Sequence, residues 1–339
     1  MPNNDVPSHI ADFAKSLAVG SSPIIERSKG GQNNGVFKVT NRQGQFAVKW
    51  YPPQGKDSRD RLGTEYKALK FFERWGPCPV PRAVEAYPSK HIAVYEWCEG
   101  AQVNDISDAD ISQALNFLSL LLAASRKQDA MAFSAASEAC LSGAEIVRQI
   151  RTRYARLNDI AEERSALRRL LEKAFKPALA KHVDQAKLAY NNWHWSWNDD
   201  LPSSRRILSP SDMGFHNAVR RRSGELVFLD FEYFGWDDPV KLVADFMLHP
   251  GMSLGARHRQ KFHDGAVLAL NVDPTFQDRL NILYPLYALR WVMIILNEFL
   301  PERWTRRLHA GAASDLEAVQ SRQLRKAKDA LMRLSTLSA

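Results

Sequence analysis

The chain has 339 residues, 45% of them hydrophobic and 25% charged, with 46 Lys and Arg against 38 Asp and Glu. That composition excludes a largely disordered chain, and the length provides a sizeable core in two domains or one large two-part unit. Three cysteines, Cys78, Cys98 and Cys140, are odd in number and far apart, which fits neither a disulfide framework nor a zinc cluster and points to a reducing compartment.

The net charge of +8 invites a nucleic-acid reading, so its distribution matters. Residues 1–97 hold 14 basic against 9 acidic side chains, and the remainder 32 against 29. The basic clusters (Arg148, Arg151, Arg153, Arg156; Arg322, Arg325, Lys326, Lys328) recur at helical spacing among acids, as on a solvated helix face rather than a phosphate-tracking stripe. The start, MPNNDVPSHIADFAKSL, lacks the basic and apolar regions of a secretory leader. The most apolar stretch, 283–300, carries Pro285, Arg290 and Glu298 and reads as a buried helix too short to cross a bilayer. A cytoplasmic protein with no membrane partner is expected.

In chain order, residues 8–19 form an amphipathic helix with Ile10, Phe13, Ala14 and Leu17 on one face. GGQNNGVFKV (30–39) and QFAVKWY (45–51), around a polar turn ending in Gly44, read as a hairpin. A helix over 58–75 stops at Gly76, Pro77 and Pro79, and HIAVYEW (91–97) is a further strand. Beyond residue 105 helical periodicity dominates 108–126, 144–158, 160–189, 276–300 and 314–336. It is interrupted by strand-like RILS (206–209), NAVR (217–220) and ELVFLDF (225–231). The expectation is an α+β chain: a strand-rich segment 1–97 and a mainly helical segment 98–339, joined near 98–102.

Three constellations carry chemistry. In QFAVKWY, Phe46, Val48 and Trp50 share one face while Ala47, Lys49 and Tyr51 share the other. A lysine in so apolar a strand needs an anion or a route to water, and Glu65 points inward with Leu62, Leu69 and Phe72 on the next helix. A Lys49–Glu65 pair is the economical reading, with a snorkelling lysine and a helix-edge glutamate as the alternative. GGQNNG places three glycines at a strand opening, where backbone can approach a phosphate; a simple glycine-rich turn is the alternative. In SPSDMGFHNAV, Asp212 and Asn217 lie five apart before a strand, and the returning strand ends at Asp230. Converging hard-oxygen groups of this kind suit magnesium.

Glycine-rich hairpin, strand lysine, helix glutamate, the hinge-like VYEWCEG (94–100), the Asp-x4-Asn loop and the strand-end aspartate follow one another in kinase order. GGQNNGVFKV, SPSDMGFHNAV and FLDFEYFGWDDP together resemble the aminoglycoside phosphotransferase / choline kinase family of protein-kinase-like enzymes, over roughly residues 24–250. The resemblance implies a two-lobed protein-kinase-like fold and transfer of the γ-phosphoryl group of ATP, or GTP, to a hydroxyl of a small molecule with Mg2+. The acceptor would be a sugar, an amino-alcohol or an aminoglycoside-like compound. By the same resemblance Gly30, Gly31, Asn33, Asn34 and Gly35 would cover the phosphates and Ala47 would lie against adenine. Lys49, fixed by Glu65, would hold the α/β-phosphates, and Glu96, Trp97 and Cys98 would form the hinge. Asp212 would be the catalytic base or orienter, Asn217 and Asp230 the metal ligands, with Glu232 contacting metal through water and Asp245 bracing the loop.

Pro210 departs from the family, which usually has histidine two residues before the catalytic aspartate. A nucleotide-binding module without turnover is therefore a competing reading, and a nucleic-acid-binding protein a third. The acceptor is expected at the helices beyond residue 250. Asp237, Asp238, Glu298 and Glu302 are candidates for an acidic pocket there. Tyr233, Phe234 and Trp236, and the cluster WHWSW (193–197), are either aromatic boxes or plain packing.

Overall fold

The computed structural model describes residues 6–17, 22–28, 34–53, 59–252, 254–304 and 315–337. Gly30, Gly31 and Asn33 of the glycine-rich stretch lie outside the described residues. The chain divides into two compact units, residues 1–138 with 208–236, and residues 139–207 with 237–339.

Unit 1 opens with helix α1 (Ser8–Leu17) and a five-stranded antiparallel sheet of order β1-β2-β3-β5-β4. The strands are β1 (Ile24–Arg27), β2 (Gly35–Asn41), β3 (Gly44–Trp50), β4 (Ala83–Tyr87) and β5 (Ile92–Glu96). Alternation along β2 and β3 puts Phe37, Val39 and Val48 on one face, where they pack with Ile92 and Val94 against Ile10, Phe13 and Ala14 of α1. The opposite face carries Lys49, which pairs in register with Val36 on one side and Ala93 on the other. The turn between β2 and β3 is closed by Asn41 Oδ1 accepting from the Gln43 amide at 2.8 Å, with Gly44 at a positive φ of 134°.

Helix α2 (Arg61–Glu73) is capped by Asp60, whose carboxylate accepts from the Gly63 amide at 2.9 Å. It buries Leu62, Glu65, Leu69 and Phe72. Helix α3 (Asp108–Ser125) begins with a capping box between Ser107 and Asp110. The rest of unit 1 includes a small sheet of β6 (Ala101–Gln102), β8 (Ala218–Arg220) and β9 (Leu226–Phe228) in the order β6-β8-β9. Strand β7 (Ile207–Ser209) precedes it, and β10 (Gly235–Asp237) follows it. The β8–β9 hairpin turns at Arg221–Gly224, where Gly224 takes a φ of 91°.

Unit 2 is helical. It contains α4 (Gly143–Asp159), α5 (Ser165–Leu170) and α6 (Lys176–Asn192), with a π-helical turn joining the last two. Helices α7 (Pro239–Leu248), α8 (Ala256–Ala269), α9 (Phe276–Ile295) and α10 (Leu316–Leu337) follow. The continuous helix expected over 160–189 is instead interrupted before Ser165. Helix α9 packs against α4, α6, α7 and α10, which explains its apolar sequence. With its 3-10 extension to Phe299 it is long and apolar enough to cross a bilayer by length and composition, contrary to the sequence expectation. In this fold 61% of that apolar window is buried within the protein, as in a core helix.

The acidic candidates for an acceptor pocket have other employment within unit 2. Asp237 pairs with the buried Lys241 at 3.2 Å, and Lys241 also lies 3.1 Å from Asp245. Asp238 caps α7 and holds Arg279 at 2.6 Å, while Glu302 pairs with Arg156. Buried positive charges in the helical core consume Asp237 and Asp238 structurally. In WHWSW, Trp193, Trp195 and Trp197 pack around Tyr190, and Arg205 covers Trp195 at 4.8 Å, so this cluster is packing.

Candidate active site

Glu65, Asp230 and Glu232, three of the residues singled out in sequence, converge in unit 1 around one cation. Lys49 Nζ lies 2.6 Å from Glu65 Oε2, 2.7 Å from Asp230 Oδ1 and 3.9 Å from Glu232 Oε2. Lys49 is only 7% exposed and Glu65 4%. Burial alone would lower the lysine pKa, but the carboxylates of Asp230, Glu65 and Glu232 outweigh it and hold the pKa well above the ordinary lysine value. The ammonium therefore stays charged throughout the neutral range.

A second layer fixes Glu65. Tyr51, two residues beyond Lys49 and on the same face of the strand, donates its hydroxyl to Glu65 Oε2 at 2.7 Å. Its hydroxyl also meets that of Tyr95 at 2.8 Å. Burial beside the Glu65 carboxylate pushes the Tyr51 pKa well up, so the phenol remains a neutral donor. Period-two alternation already placed Tyr51 on the Lys49 face; Tyr95 is brought in by the β5 register, where it stands opposite Ala47.

Asp230 sits two residues past the end of β9 and adopts a left-handed φ of 68°. A non-glycine residue there stores strain of about 1–3 kcal/mol, and aspartate tolerates the region better than most. The loop after β7 shows the same device, with Ser211 at φ 70° immediately before Asp212. The two segments are joined by the backbone: the Leu229 amide donates to the Asn217 carbonyl at 2.7 Å. Asn217 Nδ2 in turn donates to the Asp212 carbonyl at 3.0 Å and to Asp212 Oδ2 at 3.2 Å.

His216 hydrogen-bonds within this loop: its Nε2 lies 3.0 Å from Asp212 Oδ1. Both carboxylate oxygens of Asp212 are thereby oriented from one side while the side chain stays 41% exposed. Pro210 is buried, and the loop is further tied by the Ser211 amide donating to Ser209 Oγ at 3.0 Å. Such a carboxylate, held but accessible, can accept a proton from an incoming hydroxyl.

The carboxylate oxygens of Glu65, Asp230 and Glu232 gather within 4.8 Å of one another. Asn34 Nδ2 donates to Glu232 Oε2, while Asn34 Oδ1 and Glu232 Oε1 are buried without a hydrogen-bond partner among the described residues. Orphaned hard-oxygen acceptors next to two further carboxylates fit a divalent cation such as magnesium, which prefers oxygen ligands. Arg61 was not foreseen from the sequence. It is buried on α2, 3.8 Å from Glu232 Oε1, and its guanidinium lies 5.6 Å from the Tyr233 ring.

Phe231 and Phe234, flanking Glu232, pack on Phe72 of α2 at 5.7 and 5.6 Å between ring centroids. The helix that supplies Glu65 is thus wedged to the segment that supplies Asp230. Phe234 and Tyr233 are occupied by these rings and by the guanidiniums of Arg59 and Arg61, so packing accounts for them.

Of the phosphate-loop candidates, Asn34 and Gly35 are described; a Cβ on Gly35 would come within 2.9 Å of the Phe37 ring. Ala47 stands in β3 beside Tyr95. Of the hinge candidates, Glu96 ends β5, and its carboxylate accepts from the Arg82 amide at 3.2 Å and the Arg221 guanidinium at 3.1 Å. Trp97 Nε1 donates to Glu99 at 2.9 Å, and Lys38 lies 5.0 Å over its ring. Cys98 is half-buried, and burial pushes its thiol up to about 11, so it stays a neutral thiol.

This arrangement coincides with a sequence match: a model of the phosphotransferase enzyme family covers residues 24–266. The chain belongs to that family. Solved structures similar to this phosphotransferase include a spectinomycin phosphotransferase in complex with ADP and spectinomycin. It is 10% identical, with a TM-score of 0.59 and coverage of 99% of each chain. The choline kinase of Streptococcus pneumoniae is 14% identical, with a TM-score of 0.56 over 96% of this chain and 98% of that one. An ethanolamine kinase of Plasmodium vivax is also 14% identical, with a TM-score of 0.51 over 90% and 81%. At these identities the likeness establishes the α+β protein-kinase-like fold. Among curated protein sequences none matches.

Proposed function

We propose that this phosphotransferase moves the γ-phosphoryl group of ATP to a hydroxyl of a small molecule. The observation that carries the reading is Lys49, held between Glu65 and Asp230 in the same unit as the Asp212–Asn217 loop. In this reading residues 1–97 bind the nucleotide and residues 98–339 supply the catalytic loop and the acceptor site. Gly30, Gly31, Asn33, Asn34 and Gly35 cover the phosphates, Ala47 meets the base, and the Glu96–Cys98 backbone hydrogen-bonds it.

Lys49 neutralises phosphate charge, and Glu65, braced by Tyr51, keeps its ammonium aimed. Asp212 orients the acceptor hydroxyl and takes its proton. The hydroxyl oxygen forms the new bond to phosphorus, the bond from phosphorus to the bridging oxygen breaks, and ADP departs with the electron pair. Asn217 and Asp230, with Glu232 nearby, would hold Mg2+. When bound, that ion neutralises the charge on the transferring phosphoryl group.

Pro210 in place of histidine does not disarm the loop, because His216 and Asn217 hold Asp212 from its C-terminal side. This favours an enzyme over a nucleotide-binding module without turnover. The test is a thermal-shift series with ATP, GTP and magnesium, followed by ADP release across hydroxylated acceptors. Magnesium-dependent nucleotide stabilisation and acceptor-dependent ADP release are expected. Nucleotide binding without ADP release for any acceptor would favour the module instead.

A further inference from the structure

Arg61 is the first residue of α2 and is only 7% exposed. A buried cation at the positive end of a helix is unfavourable toward the backbone dipole, so its placement answers to what it faces. Its guanidinium lies over the Tyr233 ring, 5.6 Å from the centroid, and Nη1 stands 3.8 Å from Glu232 Oε1. At that separation it compensates charge without a hydrogen bond, and Glu232 Oε1 has no hydrogen-bond partner among the described residues.

Glu232 is itself 1% exposed, and its other oxygen accepts from Asn34 Nδ2 and lies 3.9 Å from the Lys49 ammonium. The cluster of Glu65, Asp230 and Glu232 is therefore met by two cations, Lys49 and Arg61, which leave it a single net negative charge. Burial raises the Glu65 pKa, which can only thin that charge further. A divalent ion entering alone would sit close to both cations, where like charges repel strongly because water is scarce. Phosphate oxygens supply the negative charge that the cluster lacks. Magnesium commonly binds in this way, through one or two carboxylates together with substrate phosphates.

We propose that Arg61 is a positioning residue for the metal side of this site: it sets its charge against Glu232 and keeps the cluster from taking a divalent cation until the nucleotide's phosphates arrive. The nucleotide half of the proposal rests on the phosphotransferase reading above; the Arg61–Glu232 geometry stands without it. In this role Arg61 acts through Glu232 rather than on the metal or the phosphoryl group. A guanidinium does not deprotonate in a protein, so the restraint holds across the neutral range.

The probe is Mn2+, a paramagnetic stand-in for magnesium, titrated into the full chain without nucleotide and followed by electron paramagnetic resonance of the free ion. Arg61→Gln is expected to bind Mn2+ about tenfold more tightly than the parent, or better. Arg61→Met, which keeps the apolar stem, should do the same, and Arg61→Lys, which keeps the charge, should stay near the parent. Adding Glu232→Gln to Arg61→Gln should abolish the gain. A merely structural role would give the opposite sign, because a loosened site binds metal less well. Unchanged or weaker binding in both neutral variants, an equal gain in Arg61→Lys, or a gain that survives Glu232→Gln would overturn the proposal. A second series adds an ATP analogue with a β,γ-imido bridge. It should bind the parent about tenfold tighter with Mn2+ than without, and an affinity indifferent to the metal would overturn the nucleotide half. An analogue bound under neither condition would remove the phosphotransferase reading instead, while the series without nucleotide still decided the role of Arg61.

Discussion

The Lys49 ammonium lies 2.7 Å from Asp230 and 2.6 Å from Glu65, so one cation ties β3 to α2 and to the segment after β9. Removing it leaves two carboxylates facing each other in a poorly solvated pocket. Lys49→Met is expected to lower unfolding free energy by about 3–5 kcal/mol, as for other broken buried pairs. Its phosphoryl transfer should fall by about a hundredfold or more. Glu65→Gln, which keeps an acceptor for Tyr51, should cost less in both assays. Urea denaturation and ADP release measure the two effects.

The His216–Asp212 contact makes a different kind of prediction, because in the proposed mechanism His216 would act through the aspartate rather than on the nucleotide. His216→Ala should reduce kcat by about tenfold to a hundredfold, the range of a lost orienting contact, with nucleotide affinity unchanged. His216→Gln, which can still donate to Asp212, should recover part of the loss. A parallel loss of nucleotide affinity would mean that the loop had collapsed instead.

Much of this site was legible from spacing. The alternation in β3 placed Lys49 and Tyr51 on one face and Val48 on the other, and the helical pattern turned Glu65 inward. What spacing could not supply was long-range. The Lys49–Asp230 contact spans 181 residues, and the left-handed φ at Asp230 and Ser211 has no glycine to announce it. The same limit explains the edge strand β1, which is mostly exposed and carries no alternation, and β4, whose register shifts at a bulge between Ala83 and Glu85. The acidic residues Asp237 and Asp238 looked free in sequence because their partners, Lys241 and Arg279, are defined only by helix packing.

Asp110 provides a pH-dependent test. Burial would raise its pKa, but hydrogen bonds from Ser107 and Arg220 outweigh that and hold it below the ordinary carboxylate value. A depressed folded pKa contributes stability above the unfolded carboxylate value and loses it as pH falls through the folded one. Asp110→Asn should therefore lower Tm at neutral pH. The gap from the parent should narrow as pH drops below the normal carboxylate range. A gap independent of pH would assign the effect to packing alone.

Gly100 follows β5 where the chain passes close to β8. A Cβ there would lie 2.7 Å from the Arg220 carbonyl oxygen and 3.0 Å from its carbon, both backbone atoms with little room to yield. Gly100→Ala should destabilise by about 1–3 kcal/mol, seen as a lower urea midpoint with an unchanged slope.

The most direct measurement is magnesium-dependent ATP turnover in Asp230→Asn, a nearly isosteric change that removes one carboxylate charge beside Lys49. The account predicts that ADP release falls to background at every magnesium concentration while the variant remains folded by circular dichroism. Turnover equal to the parent's, with the same magnesium dependence, would contradict it.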